Sequence, residues 1–390
     1  MISLSPNDGG PMEFCLCPAC EAADAQGAGV PRVQVPISAP SAGEAPFALP
    51  ATYREISPGI YEHVSFSDRV MKFYAAIAAQ AKVSAPGILF GGIAYSLYRS
   101  PPVATPVPEN LLVGYVGFNY LDAGYLETSR REWQEWQALV SPIELDPGIV
   151  TRKLCIRSNL LSGGWGMPVA YTRQLGEDIA RWRQNRLGFF DCCYQNWATD
   201  GLNYYVLARL LWNPDLSVEE IVAQYCSRGF GPAAREIRAY FDLVESVTDR
   251  VSGLARDRGL DPYRVLSSRL LELEGYSPEI LSRMHRHLVA ARRLAAADRR
   301  LLARINFLAV GWQYARRRCL ALAAEKAYFD HPHPETLAAF SAEIEAVRRF
   351  HQAVGVRSWA INVPYQVVKL FTRRGPTYPA RYAWGDAGEE

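Results

Sequence analysis

The stretch ISLSPNDGGPMEFCLCPAC, residues 2–20, holds the pattern from which the fold is predicted. Ile2 to Leu4 reads as a β-strand, and a polar, glycine-rich loop with Asn7 and Asp8 follows it directly. Four later segments repeat this passage from an apolar strand into polar or aromatic residues: GILFGGIAYSLY, NLLVGYVGFNY, VTRKLCIRSN and LGFFDCCYQNW. Helical patterns lie between several of them, so the alternation predicts an α/β architecture with a parallel sheet.

The residues at the predicted strand ends favour one such architecture, the TIM-type (β/α)8 barrel. Functional groups of these barrels lie at the C-terminal ends of the strands. The predicted ends carry Asn7 and Asp8, Tyr95, Asn119 and Tyr120, Arg157 and Asn159, and Asp191. Five strands are recognised where a closed barrel has eight. We therefore predict that residues 1–212 are the C-terminal part of a glycoside-hydrolase-like barrel whose first strands are not in this chain.

Residues 213–390 show a different pattern and predict an α-helical bundle domain packed beside the barrel. SVEEIVAQYCSRGFG reads as a capped helix that ends at a glycine. The next segment places apolar residues on one face at helical spacing, namely Ile237, Tyr240, Phe241, Val244 and Val247. Residues 277–328 predict two antiparallel helices, and residues 335–353 predict another. Arginine runs in this region are interpreted as solvated helix faces rather than as a nucleic-acid surface.

The composition narrows the classes of partner. A net charge of +2 implies neither nucleic acid nor a membrane surface as a partner, and no apolar run is long enough to span a bilayer. The N-terminus has no signal-peptide pattern, so the cellular location is left open. Nine Trp and twenty-one Tyr suit a protein that stacks flat ligands such as sugar rings, although core packing is the alternative for each. The oligomeric state is also left open.

Asp8 and Asp191 are the candidate catalytic pair. Asp8 lies beyond a strand end and precedes two glycines, which let a ligand approach closely. Asp191 follows two phenylalanines, and an apolar setting raises the pKa of a carboxyl group toward that of a general acid. Glycosidic bond cleavage requires two such carboxyl groups. The alternatives are a turn aspartate at position 8 and a carboxylate bound by backbone amides at position 191.

Carbohydrate sites combine aromatic faces for the C–H surface of a sugar with amides and charged groups for its hydroxyls. The residues predicted to bind substrate in this way are Asn7, Tyr95, Asn119, Tyr120, Arg157, Asn159, Trp165, Tyr194, Trp197, Asp200 and Asn203. Trp165 lies in a glycine-rich segment typical of a mobile loop. For the segment around Trp197 and Asp200, the alternative is a helix cap.

Cys15, Cys17 and Cys20 form a short cysteine cluster with no fourth cysteine nearby. A structural zinc site has four ligands, so a metal, a local disulfide and free thiols all stay open. No other cofactor is predicted.

The chain resembles a large bacterial family known only as a domain of unknown function. The resemblance rests on SLSPNDGGPMEFCLCPAC, SDRVMKFYAAIA, GGIAYSLYRSPP, IRSN and NWATDGLNYYVLARLLWNPDLSVEEIVAQYCSRGFGPAAREIRAYFDLVE, and covers roughly residues 1–250. Members resemble glycoside hydrolases, distantly akin to the β-hexosaminidase and α-glucuronidase barrels. Full-length relatives carry an N-terminal β-rich domain and the first barrel strands, so the resemblance implies a truncated chain. Relatives often have Glu at the position of Asp191.

Three functional hypotheses follow. The first is a carbohydrate-active hydrolase whose paired carboxylates lie at the barrel mouth. The second is a non-catalytic carbohydrate-binding or structural remnant of such an enzyme, because an open five-stranded sheet leaves edges unprotected. The third is a thiol- or zinc-dependent protein centred on the cysteine cluster.

Overall fold

The computed structural model describes residues 1–4, 14–15, 17–27, 29–36, 53–57, 60–118, 120–121, 123–158, 166–182, 189–191, 196–258, 269–354 and 360–361. The chain divides into two compact units. The first, here called the sheet unit, comprises Met1–Phe118, Glu127–Ser158 and Gln184–Asp191. The second, the helical unit, comprises Asn119–Leu126, Asn159–Arg183 and Cys192–Glu390.

The described strands are β1 (Ile2–Ser3), β2 (Arg32–Pro36), β3 (Arg54–Ser57), β4 (Ile60–Val64), β5 (Phe90–Ala94), β6 (Leu111–Tyr115), β7 (Pro142–Asp146), β8 (Ile149–Arg152), β9 (Leu154–Ser158) and β10 (Phe189–Asp191). The described α-helices are α1 (Pro18–Glu21), α2 (Ser67–Ser84), α3 (Ala123–Leu139), α4 (Thr172–Trp182), α5 (Trp197–Trp212), α6 (Val218–Phe230), α7 (Ala234–Asp257), α8 (Arg269–Gly275), α9 (Pro278–Leu294), α10 (Arg299–Asp330) and α11 (Pro334–Val354).

A parallel sheet forms the centre of the sheet unit. Its strand order is β1-β5-β6-β9-β10, and every neighbouring pair is parallel. These are the five strands that the sequence predicts, and they follow each other in space as they do along the chain. The described strands form an open sheet. With the helices between and after these strands, the structure supports an α/β fold with a parallel sheet and a largely helical C-terminal region.

The two faces of this sheet differ in burial. One face carries fully buried apolar side chains such as Phe90, Val113 and Ile156. Tyr74 of α2 packs on this face so closely that a Cβ atom built at Gly92 would lie 2.7 Å from the Tyr74 ring. The other face is half-buried and carries Ile93, Leu112, Cys155 and Arg157. Alternation along each strand produces this division, because successive side chains point to opposite faces.

Two small antiparallel sheets were missed by the sequence analysis. Strands β2, β4 and β3 pair in that order, in a part of the chain for which the sequence analysis predicted no strand. Strands β7 and β8 form a hairpin around Pro147 and Gly148, and the φ of Gly148 is +83°. The Asp-Pro-Gly sequence of that turn was a usable signal, since glycine adopts positive φ at little steric cost.

The predicted C-terminal helices are confirmed in the described residues. Ser217 caps α6 by accepting a hydrogen bond from the Glu220 amide at 3.2 Å, and α6 ends at Gly231, whose φ is +51°. All five apolar residues predicted to share a face of α7 are buried. Helices α9 and α10 correspond to the two helices predicted over residues 277–328. None of the described helices combines the length and the hydropathy of a bilayer-spanning segment.

Candidate functional site

The carboxyl edge of the parallel sheet is the candidate site, and all of its described strands belong to the sheet unit. Tyr115 pairs with Ala94 on one side and with Ile156 on the other, while Asp191 pairs with Ser158. Because the strands are parallel, their C-terminal ends meet at this single edge. The predicted site residues of β5, β9 and β10 therefore share one edge of one sheet.

Several predicted site residues lie outside the described residues: Asn7, Asp8, Asn119, Asn159, Trp165 and Tyr194. Asp191 is the last residue of β10, so its backbone position at the sheet edge is described. Tyr95 directly follows β5 and is half-buried, with its ring 6.4 Å from that of Tyr98. The predicted roles of all these residues in binding or catalysis stay predictions.

Arg157 occupies the penultimate position of β9 and is half-buried. Arg157 pairs with Phe190 of β10. On the other side, the Cβ atom of Arg157 lies 3.6 Å from the position that a Cβ atom would occupy at Gly114. Within the described residues its guanidinium group has no hydrogen-bond or ion-pair partner. A half-buried arginine in this state offers several N–H donors to an oxygen-rich ligand or to a carboxylate.

Two residues with left-handed backbone geometry follow the ends of neighbouring strands. Ser96 has φ +48° two residues after β5, and Phe118 has φ +65° three residues after β6. These are the positive-φ residues other than glycine in the described structure. Such conformations cost free energy and cluster at functional sites. Sequence analysis did not identify them, because neither residue type signals positive φ.

A buried polar cluster supports the chain where it leaves β5 and β6. The Arg99 guanidinium donates to both carboxylate oxygens of Glu132 on α3, at 2.7 and 3.2 Å. The Tyr115 hydroxyl donates to the same carboxylate at 2.8 Å, and the Trp136 indole donates to the Arg99 carbonyl at 2.9 Å. These partners lie far apart in sequence, so no local pattern could have revealed the cluster.

Asp68 lies in the first turn of α2 and binds residues 103–105, which belong to the segment between β5 and β6. Its buried carboxylate accepts three backbone hydrogen bonds, from the amides of Val103, Ala104 and Thr105, at 2.6 to 3.0 Å. Carboxylates that accept several amide hydrogen bonds make strong, charge-assisted contacts. Asp68 therefore fixes the segment that links β5 to β6.

The predicted sugar-binding residues of α5 lie inside the helical unit. Asp200 and Asn203 are buried, at 0% and 1% exposure. The Asn203 side chain donates to the Val169 carbonyl and to Asp200, and accepts from the Tyr171 amide, each within 3.2 Å. In this structure the two residues hold the segment before α4, and contact with a sugar stays a prediction.

The aromatic candidates of the helical unit also pack internally. Tyr120 is buried and stacks on Tyr171, with ring centroids 4.6 Å apart and planes inclined by 10°. Trp197 is half-buried and meets Tyr204 edge to face at 5.3 Å. The structure thus gives both residues packing partners.

Cys15, Cys17 and Cys20 come together in the sheet unit, with all three sulfur atoms within 4.8 Å of one another. The cysteines are free, and Cys15 and Cys17 are exposed. A hydrogen bond from the Cys20 amide is the main cause that lowers the pKa of Cys17 to about 7. The pKa of Cys20 is raised to about 11, chiefly because its thiol shares hydrogen bonds with Cys15 and Cys17. This arrangement suits a soft metal ion or a redox reaction.

The family model described as "Domain of unknown function (DUF4838)" matches residues 1–242. The chain belongs to this family. No curated protein and no solved structure matches the chain.

The DUF4838 match covers all five described strands of the parallel sheet, the cysteine cluster and every predicted site residue. It ends within α7, so most of the C-terminal helices lie outside it. The predicted membership of a domain-of-unknown-function family is therefore confirmed, whereas the predicted relation to glycoside hydrolases concerns function and belongs to the proposal that follows.

Proposed function

We propose that this DUF4838 protein is a carbohydrate-active, glycoside-hydrolase-like protein. Asp8 and Asp191 would act as the catalytic carboxyl pair at the carboxyl edge of the parallel sheet. The observation that carries the proposal is the position of these residues in the strand order. Asp8 follows β1, Asp191 ends β10, and these are the first and last of the five described strands.

The strand order supports a barrel rather than a doubly wound sheet. Doubly wound sheets reverse their strand order at a switch point, whereas the described order runs in one direction throughout. One face is covered by apolar packing against helices, as on the outside of a barrel, and the half-buried face corresponds to its interior. We propose that the five strands are part of an eight-stranded barrel, completed by strands outside the described residues.

Closure into such a barrel would bring the ends of β1 and β10 closer together. Strands about 4.8 Å apart and tilted by roughly 36° give an eight-stranded barrel a diameter of about 15 Å. The first and fifth strands of such a barrel face each other. Glycosidases hold their two carboxyl groups roughly 5 to 9.5 Å apart, so a closed barrel brings the two strand ends nearer to that range than a flat sheet does. In a flat sheet the same strands lie about 19 Å apart.

The groups around the edge supply the other requirements of the reaction. Arg157 has N–H groups available to substrate oxygens, and Tyr95 provides an aromatic ring beside the end of β5. The clusters around Glu132 and Asp68 hold the intervening backbone rigid, as preorganised catalysis requires. Hydrolysis by two carboxyl groups requires no cofactor. A zinc ion at the cysteine cluster would therefore take no part in this reaction.

The test is turnover of aryl glycosides of neutral and acidic sugars by the wild type and by Asp191→Asn. The amide keeps the shape of the side chain but cannot transfer the proton. We expect a loss of turnover of roughly 10²-fold or more on the best substrate, the contribution typical of one acid–base group. Asp330→Asn is the matched control, because Asp330 forms an exposed pair with Lys326 on α10.

Two results would contradict the proposal. The first is the absence of turnover on every glycoside tested, with sugar binding retained, which would favour the non-catalytic binding remnant. The second is equal turnover by the wild type and Asp191→Asn, which would remove Asp191 from the catalytic pair.

A further inference from the structure

We propose that Cys15, Cys17 and Cys20 bind one thiophilic divalent metal ion, namely Zn²⁺, through three thiolates. The inference is independent of the proposed hydrolase activity. Its geometric basis is the convergence of three sulfur atoms within 4.8 Å of one another.

The sulfur spacing fits a tetrahedral zinc ion after a small adjustment. Zinc–sulfur bonds of about 2.3 Å in tetrahedral geometry place thiolate sulfurs about 3.8 Å apart. The observed separations require a contraction of at most about 1 Å, which side-chain rotation supplies at exposed cysteines. A water molecule would take the fourth position, as at zinc sites with three protein ligands. Three soft thiolates favour zinc over magnesium or calcium, which bind oxygen ligands.

The local backbone is shaped for a thiolate ligand. Cys17-Pro18-Ala19-Cys20 forms a tight turn in which the amides of Cys20 and Glu21 donate to the Cys17 carbonyl at 3.0 Å. This turn holds Cys17 and Cys20 next to each other and so presents two of the three sulfur atoms together.

The segment that carries the cluster is attached to α2 on both sides. On the N-terminal side, the Phe14 ring lies 4.9 Å from Phe66, and the Arg69 guanidinium donates to the Cys15 carbonyl at 2.7 Å. On the C-terminal side, the same guanidinium donates to both oxygens of buried Asp24, at 2.9 and 2.5 Å. The three sulfurs are therefore presented by an anchored segment, which lowers the entropy cost of binding.

The experiment measures metal in the full chain, purified with a non-chelating reductant and dialysed against metal-free buffer. We expect about one zinc ion per chain by elemental analysis, as for a mononuclear site. Cys17→Ser should lower this to background. Cys155→Ala is the matched control, because Cys155 is a half-buried thiol on the parallel sheet, and it should keep the zinc.

Alkylation of the wild-type protein provides a readout that needs no variant. In the zinc-loaded protein Cys15, Cys17 and Cys20 should be protected together, and removal of zinc by a chelator should expose all three. Zinc added back should restore the protection. Absence of zinc uptake by the reduced wild type would overturn the proposal, and so would zinc that is retained by Cys17→Ser. A disulfide within the cluster that persists under reducing conditions would overturn it as well.

Discussion

Polar side chains hold irregular backbone in the sheet unit, whereas apolar stripes and caps hold the C-terminal helices α6 to α11. Around the parallel sheet, Asp68 and Glu132 fix the connections after β5 and β6. In the C-terminal helices, buried residues recur at helical spacing, as along α7 and α9. One buried ion pair, between Arg318 and Glu272, lies within this apolar packing.

This difference explains where chemistry is expected. Regular helices satisfy their own backbone and leave mainly apolar packing to the tertiary structure. The connections of the sheet unit cannot do so and depend on polar side chains. The left-handed residue Phe118 near the sheet edge is held in the same way, because its amide donates to the Ser129 hydroxyl at 3.1 Å. Rigid, polar and strained surroundings are the conditions under which a catalytic group is held in place.

The largest expected effect on stability concerns the buried ion pair of the C-terminal helices. Glu272→Ala leaves the Arg318 charge buried without its partner, and we expect a loss of about 3–5 kcal/mol in the free energy of unfolding. Urea denaturation followed by circular dichroism measures it. The double variant Glu272→Leu/Arg318→Met removes both charges and should recover most of the loss.

Glu345→Ala is the control for this prediction, because Glu345 pairs with Arg348 on the exposed surface of α11. Its unfolding midpoint should match that of the wild type. A small effect of Glu272→Ala would show that the apolar stripes alone determine the stability of these helices.

A smaller effect, confined to one connection, is expected in the sheet unit. Asp68→Asn replaces one acceptor oxygen with a donor that faces backbone amides, so we expect a loss of about 1–3 kcal/mol. Hydrogen exchange should increase at Val103, Ala104 and Thr105. Asp257→Asn, at an exposed position of α7, is the control. Unchanged exchange at the three amides would mean that Asp68 is not what fixes this segment.

The smallest effect concerns the pH dependence of the C-terminal helices. Burial lowers the pKa of His351 on α11 to about 4, and the ring packs against Tyr314 of α10 and Phe350. The Tyr314 hydroxyl also accepts a hydrogen bond from Arg318, which forms an ion pair with Glu272. The folded state therefore keeps the ring neutral down to a lower pH than the unfolded state, whose histidine pKa is about 6.5.

Above pH 6.5, neutral His351 makes its full contribution to the free energy of unfolding. As the pH falls from 6.5 toward 4, this contribution decreases by up to about 1.4 kcal/mol per pH unit. His351→Leu should flatten the unfolding free energy over this window. The exposed His333 supplies the control, and His333→Leu should retain the wild-type slope. An unchanged slope in His351→Leu would contradict the assignment.

Most regular elements could be predicted from the sequence, because their information is local. Apolar runs that end in polar residues predicted the five parallel strands, and helical spacing predicted α6, α7, α9, α10 and α11. The sheet of β2, β4 and β3 was missed because its strands lie in a segment rich in Ala, Gly, Pro and Ser, and strands β2 and β4 pair across some thirty residues. Pairing over such a distance leaves no periodic signal.

Part of the candidate site could also be predicted from local sequence patterns. Tyr95, Arg157 and Asp191 lie at or next to the C-terminal ends of predicted strands. Parallel pairing places these ends at one edge of the sheet, so the shared position of the three residues could be predicted. Local composition could not distinguish a sugar-binding amide from a structural one, and Asn203 proved to bind backbone. The cluster of Arg99, Tyr115 and Glu132 depends on tertiary contacts that no local pattern encodes.

The most direct measurement of the central claim, that carboxyl groups at the sheet edge cleave glycosidic bonds, is the kinetics of Asp8→Asn on the substrate found for the wild type. A catalytic Asp8 predicts a loss of turnover of roughly 10²-fold or more with KM little changed. A higher KM with unchanged turnover would assign Asp8 to binding only. Wild-type values of both parameters would contradict the account, because Asp8 would then be only a turn residue beyond β1.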